Sequence, residues 1–138
     1  MTGILIVSHY QLAEEFLRAL ELIVGELRHF RAIGLDPDMQ PDEMRSRIDK
    51  SLREVDGGEG VLVLVDMFGG TPSNLCLSFL EEGRVEVVTG VNLPMLVKVA
   101  GVKEATSVHE LAEIARESGQ QNISVASDIL SGTQREAP

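Results

Sequence analysis

The apolar residues of this chain fall into two kinds of pattern. Ile4-Leu5-Ile6-Val7 and Val61-Leu62-Val63-Leu64-Val65 are unbroken aliphatic runs, too short for helices and apolar on both faces, as buried parallel strands require. Between them, Leu12, Phe16, Leu20, Ile23 and Leu27 recur at spacings of four and three, with Leu17 and Val24 widening the stripe and Glu14, Glu15, Arg18 and Glu21 on the other side. That periodicity predicts an amphipathic helix of about four turns.

The other elements follow from turn and cap signals. His29 to Leu35 reads as a strand closed by Asp36-Pro37-Asp38, and Pro41-Asp42-Glu43 opens a helix to about Val55, with proline and acids in its first turn. Gly57, Gly58 and Gly60 break the chain before the central aliphatic strand. Gly69-Gly70-Thr71-Pro72 reads as a tight turn into a helix with Thr71 as N-cap and Gly83 just past its end, and Val85 to Val88 as the next strand. Asn92-Leu93-Pro94 starts a further helix, Ser107 and Glu110 have capping-box spacing for a last helix to Gly119, and Asn122 to Val125 reads as a short final strand.

Strand and helix therefore alternate, which predicts an α/β fold: one doubly wound, mostly parallel open sheet with helices on both faces, and a possible C-terminal antiparallel edge strand. No repeat or linker divides the chain, so residues 1–128 are expected to form one domain, and residues 129–138, which lack periodicity, a flexible tail.

Charge and composition narrow the function. Lys and Arg total 12 against 22 Asp and Glu, a formal charge of −10, so nucleic acid is excluded as a partner. No apolar run approaches the roughly 20 residues of a membrane span, and no basic segment precedes an apolar one at the start, so the expectation is a soluble, cytoplasmic protein. The lone cysteine, Cys76, lies among Leu75, Leu77 and Phe79 and reads as a buried, inert thiol; no metal-ligand spacing is present and no cofactor is expected.

In open α/β sheets, ligands gather beyond the carboxyl ends of the strands. His9 follows the first strand and Asp66 the third. If those strands are neighbours, Asp66 accepts a hydrogen bond from one ring nitrogen of His9 and leaves the other bare, a nucleophile of fixed direction suited to transient phosphorylation. Gly69, Gly70 and Thr71 turn backbone N–H groups toward an anion at the following helix start, with Thr71 a pocket donor rather than the carrier. His29, between Arg28 and Arg31, and His109, beside Glu110, read as structural residues.

Gly3 to His9, Asp66-Met67-Phe68-Gly69-Gly70-Thr71-Pro72-Ser73-Asn74 and Gly90-Val91-Asn92-Leu93-Pro94-Met95-Leu96 resemble, in order and spacing, the signature stretches of the IIA component of the mannose-family (mannose/fructose/sorbose) sugar phosphotransferase system. The resemblance covers about residues 1 to 125. It implies a phosphotransferase that takes phosphate from phospho-HPr onto His9, supported by Asp66, and passes it to a IIB component; because the chain ends at Pro138, that acceptor is expected to be a separate protein. It also implies a homodimer that exchanges a C-terminal strand, with residues 122 to 126 in that part, and a membrane met only indirectly through a transporter complex. One departure stands beside His9: the family often has glycine where this chain has Tyr10, so either the loop sits differently or Tyr10 walls the pocket.

Three other readings remain open from the residues. The same His9 serves a regulatory protein whose phosphorylation state controls binding to a target instead of sugar uptake, or a domain serving a dihydroxyacetone kinase. A nucleotide-binding flavodoxin-like module shares the fold class but lacks a Gly-x-Gly-x-x-Gly turn after the first strand.

Overall fold

The aliphatic run at the start of the chain becomes β1 (Gly3–His9), in which every residue from Gly3 to Ser8 is buried. A computed structural model describes residues 1–103 and 107–132. Along the chain, β1 is followed by α1 (Leu12–Val24), β2 (Phe30–Leu35), α2 (Pro41–Val55), β3 (Val61–Val65) and α3 (Thr71–Leu77). Then come β4 (Val85–Thr89), α4 (Leu93–Ala100), α5 (Val108–Gln121) and α6 (Ala126–Leu130). The strands pair in the order β2-β1-β3-β4, all parallel.

Successive side chains of a strand leave on opposite faces, so the aliphatic strands feed two cores. Ile4, Ile6, Leu62 and Leu64 pack with Leu20 of α1, Leu96 of α4 and Leu111 of α5. Leu5, Val7, Val63 and Val65 pack with Ile48 and Leu52 of α2 and Cys76 of α3. Burying each such side chain contributes about 1.5–3 kcal/mol. Two helix layers on one parallel sheet is the doubly wound architecture the alternation predicts.

Several boundaries differ from the sequence pattern. Gly25, at φ 92°, ends α1 at Val24, and the helix is rotated so that Ala13 and Leu20 are buried while Leu12 and Ile23 face outward. Gly70, not Thr71, is the N-cap of α3; Thr71 is its first helical residue and makes no side-chain cap bond. α3 also stops well before Gly83. After Leu77 the backbone bonds shorten to Ser78 N to Leu75 O, Phe79 N to Cys76 O and Leu80 N to Leu77 O, while the Ser78 hydroxyl donates to the Leu75 carbonyl at 2.6 Å. Gly83, at φ 76°, instead serves the turn that brings Glu81 against Val85.

The expected strand at residues 122–125 does not form. α5 continues to Gln121, Gly119 lies inside it against Met95, and α6 follows with none of its residues buried. Ile123 and Val125, whose alternation mimics a strand, find no sheet to enter and remain exposed. The α6 helix crosses the expected boundary after residue 128, and residues 133–138 of the expected tail lie outside the described residues.

Gly34 of β2 connects this scaffold to the loop after β1. A Cβ there would run into the Tyr10 carbonyl oxygen, and the Gly34 N–H donates to Glu14 Oε1 of α1 at 2.6 Å. Gly34→Ala must displace either β2 or the 8–11 loop, so it should lower unfolding free energy by about 2 kcal/mol; urea denaturation of the purified variant measures this.

Candidate functional site

β1 and β3 are adjacent in the sheet, with Val7 in register with Val65, so the chain leaves both strands side by side at their carboxyl ends. This is the point where the order reverses between β2 on one side and β3 on the other, the switch point at which open sheets bind ligands. His9 closes β1 and Asp66 follows β3. Asp66 Oδ2 accepts the His9 backbone N–H at 2.9 Å and lies 2.8 Å from His9 Nδ1, and Asp66 Oδ1 accepts the Met67 N–H at 3.0 Å.

An ionised carboxylate accepts only, so the ring contact is a hydrogen bond when Nδ1 carries the proton, and a neutral ring then has its lone pair on Nε2. The Asp66 side chain is 11% exposed and the His9 ring 44%, so the orienting group is covered while the ring is reachable. Gly70 is beside the free edge of the ring: a Cβ on it would lie 2.7 Å from His9 Cε1 and 3.0 Å from Nε2. Gly69 N–H is 3.4 Å from Ser73 Oγ, whereas Gly70 and Thr71 open α3, where backbone N–H groups lack intrahelical partners. Four of the five site residues named from the sequence come together: His9 and Asp66 in direct contact, Gly70 against the ring, and Thr71 lining the same pocket as His9, while the Gly69 N–H is directed at Ser73.

The loop between β1 and α1 depends on a residue the sequence reading passed over. Ser8 is fully buried; its hydroxyl accepts the Ala13 N–H at 2.7 Å and is within donating distance of the His9 and Tyr10 carbonyls, at 3.0 and 3.3 Å. It does the capping that Gln11, at the N-cap position of α1, does not. The absence of a capping residue at position 11 was the available signal. Tyr10 has φ 47°, the left-handed region that favours glycine, at a cost of about 1–3 kcal/mol for other residues. So the loop keeps a glycine-type conformation with tyrosine in it.

The remaining candidates stay apart from this rim chemistry. Cys76 is fully buried, and burial, with the Asp66 charge, pushes its thiol up to about 12. His29 meets the Phe30 ring edge-on at 4.7 Å and is held below its ordinary pKa by burial, then by the N-terminal and Lys103 charges. His109 is exposed, 3.4 Å from Glu86 and 3.6 Å from Glu113. Among the described residues no three His, Cys, Asp or Glu side chains converge as a metal set, and no helix is long and apolar enough to cross a membrane.

Comparison with known proteins identifies the family and the fold. The model of the EIIA-man family, described as the PTS system fructose IIA component, matches residues 3–116. The fructose-specific EIIA component of Bacillus subtilis is 28% identical over 131 residues, 94% of this chain and 90% of that protein. The sorbose-specific EIIA component of Lacticaseibacillus casei is 33% identical over 111 residues, 78% of each. The mannose-specific EIIAB component of Escherichia coli K12 is 31% identical over 123 residues, 88% of this chain, which spans only 38% of that longer protein. Among solved structures, the PTS IIA protein associated with the fucose utilization operon of Streptococcus pneumoniae superposes with a TM-score of 0.81 at 32% identity, covering 94% of this chain and 96% of that one. With the family model spanning most of its length and the fold shared with solved IIA proteins, this chain belongs to the EIIA-man family of phosphotransferase-system IIA components.

Proposed function

We propose that this chain is a cytoplasmic phosphocarrier of sugar uptake in which His9 Nε2 takes a phosphoryl group from phospho-HPr and gives it to a IIB component. The observation that carries the reading is the 2.8 Å contact of Nδ1 with Asp66 Oδ2 on a ring whose other edge is reachable. The Nε2 lone pair attacks phosphorus, and the donor's N–P bond breaks with its electron pair returning to the donor ring. His9 keeps its Nδ1 proton, so positive charge develops on the imidazole, and Asp66 stabilises it. In this reading the N–H groups of Gly70 and Thr71 face the phosphoryl oxygens, with Gly70 nearest the ring, whereas the Gly69 N–H is turned to Ser73 Oγ. Transfer to IIB is the same displacement with His9 as the leaving group.

A second copy of the chain is the remaining partner in this reading. Its support is a shallow groove lined by Ile23, Leu93, Pro94 and Val97, the exposure of Leu22 and Ile123 at 88% and 75%, and an outer edge of β4 that no described strand pairs.

Incubation with phosphoenolpyruvate, enzyme I and HPr should add one acid-labile, base-stable phosphate by intact mass. His9→Ala should gain none, and Asp66→Ala should fold but label up to about 10⁴-fold more slowly; labelling of His9→Ala would end the assignment. Gly70 has φ −89°, which alanine adopts freely, but its Cβ would lie 2.7 Å from His9 Cε1, so Gly70→Ala must push the ring out of place and labelling should fall at least about tenfold. Sedimentation velocity should report twice the chain mass, shifted toward monomer by Ile23→Asp.

A further inference from the structure

Tyr10 is the non-glycine residue with positive φ among the described residues. Its backbone is held from three directions: its N–H donates to Leu35 O at 3.1 Å, the Ser8 hydroxyl lies 3.3 Å from its carbonyl oxygen, and Gly34 leaves that oxygen room. Glycine would meet this demand without strain. What tyrosine adds over glycine is the side chain, on a residue that is 55% exposed and lines a pocket of about 250 Å³ together with His9. Leu35, Pro37, Met44 and Pro72 are the apolar residues of its lining, and Thr71 is a further polar one.

A phosphoryl group on His9 is subject to a competing reaction. Water attacks phosphorus, the N–P bond breaks with its electron pair on Nε2, and inorganic phosphate leaves; the carrier is discharged before it meets an acceptor. Walls that keep water from phosphorus suppress this reaction without blocking in-line approach by a partner's ring.

We propose that Tyr10 is such a wall: its ring, held beside His9 by the left-handed backbone, shields the phosphoryl group from water and sets the lifetime of the charged carrier. The inference rests on the reading of His9 as the phosphorylated residue. Strain next to a reacting group, retained because the surroundings fix it, is where a functional demand is expected.

The test follows wild type, Tyr10→Phe and Tyr10→Gly, each charged with phosphoenolpyruvate, enzyme I and HPr, freed of donor, and sampled by intact mass at neutral pH. Tyr10→Gly should lose phosphate about tenfold faster than wild type, equivalent to about 1.4 kcal/mol in the hydrolysis barrier, and Tyr10→Phe should match wild type. Equal decay in all three overturns the proposal while leaving the carrier reading intact. Fast decay in Tyr10→Phe as well assigns the effect to the hydroxyl and overturns the ring-wall account. Failure of Tyr10→Gly alone to charge places Tyr10 in acceptance and likewise overturns it. A wild type that gains no phosphate from active HPr overturns the carrier reading itself.

Discussion

A single carboxylate oxygen, Asp66 Oδ2, holds His9 by its backbone N–H at 2.9 Å and its ring Nδ1 at 2.8 Å. The first contact fixes where β1 ends relative to β3, and the second fixes which way the imidazole faces. Both depend on parallel pairing of β1 with β3, because Asp66 reaches His9 only when the two strands end level. The pairing in turn depends on aliphatic runs that bury both faces between two helix layers. A rigid, dry sheet thus supplies a half-exposed histidine with one defined lone pair.

The loop that carries His9 is set by close backbone approach as much as by hydrogen bonds. Ser8, buried beneath it, caps α1 from outside the helix, and Gly34 of the neighbouring strand makes room for Tyr10 O. Gly70 does the same on the other side, allowing α3 to begin against the ring edge. Glycine is needed at both places for space and not for unusual torsion, since neither has positive φ.

The sheet, both helix layers and the pairing of His9 with Asp66 were legible because they rest on signals that local sequence carries: uninterrupted aliphatic runs, proline and acid at helix starts, and polar residues immediately after strands. Position 122–125 misled for the converse reason. Ile123 and Val125 alternate like a strand, but a strand requires an edge to join, and pairing is a tertiary property that no short window contains. Ser8 was passed over because a serine at the end of an apolar strand reads as part of it; its role appears only when the chain turns back and Ala13 N–H arrives at 2.7 Å. The early stop of α3 has the same character, since the Ser78 hydroxyl on the Leu75 carbonyl is a competition between local bonds of similar strength.

Asp66 also bears on which nucleophile at this end of the sheet reacts. Cys76 lies in the core beneath α3, and a thiolate there would be intrinsically a strong nucleophile. Burial, and secondarily the Asp66 carboxylate, pushes its thiol up to about 12, which keeps it protonated at neutral pH. The same carboxylate meets the two side chains differently: its charge disfavours an anion on Cys76, whereas it holds the His9 ring through Nδ1. The proposed chemistry, which starts from a neutral ring, is compatible with that carboxylate, whereas one that begins from a negatively charged sulfur is not. On the proposed reading, one carboxylate, placed by the register of β1 on β3, orients the exposed imidazole and adds to the burial that keeps the Cys76 thiol protonated.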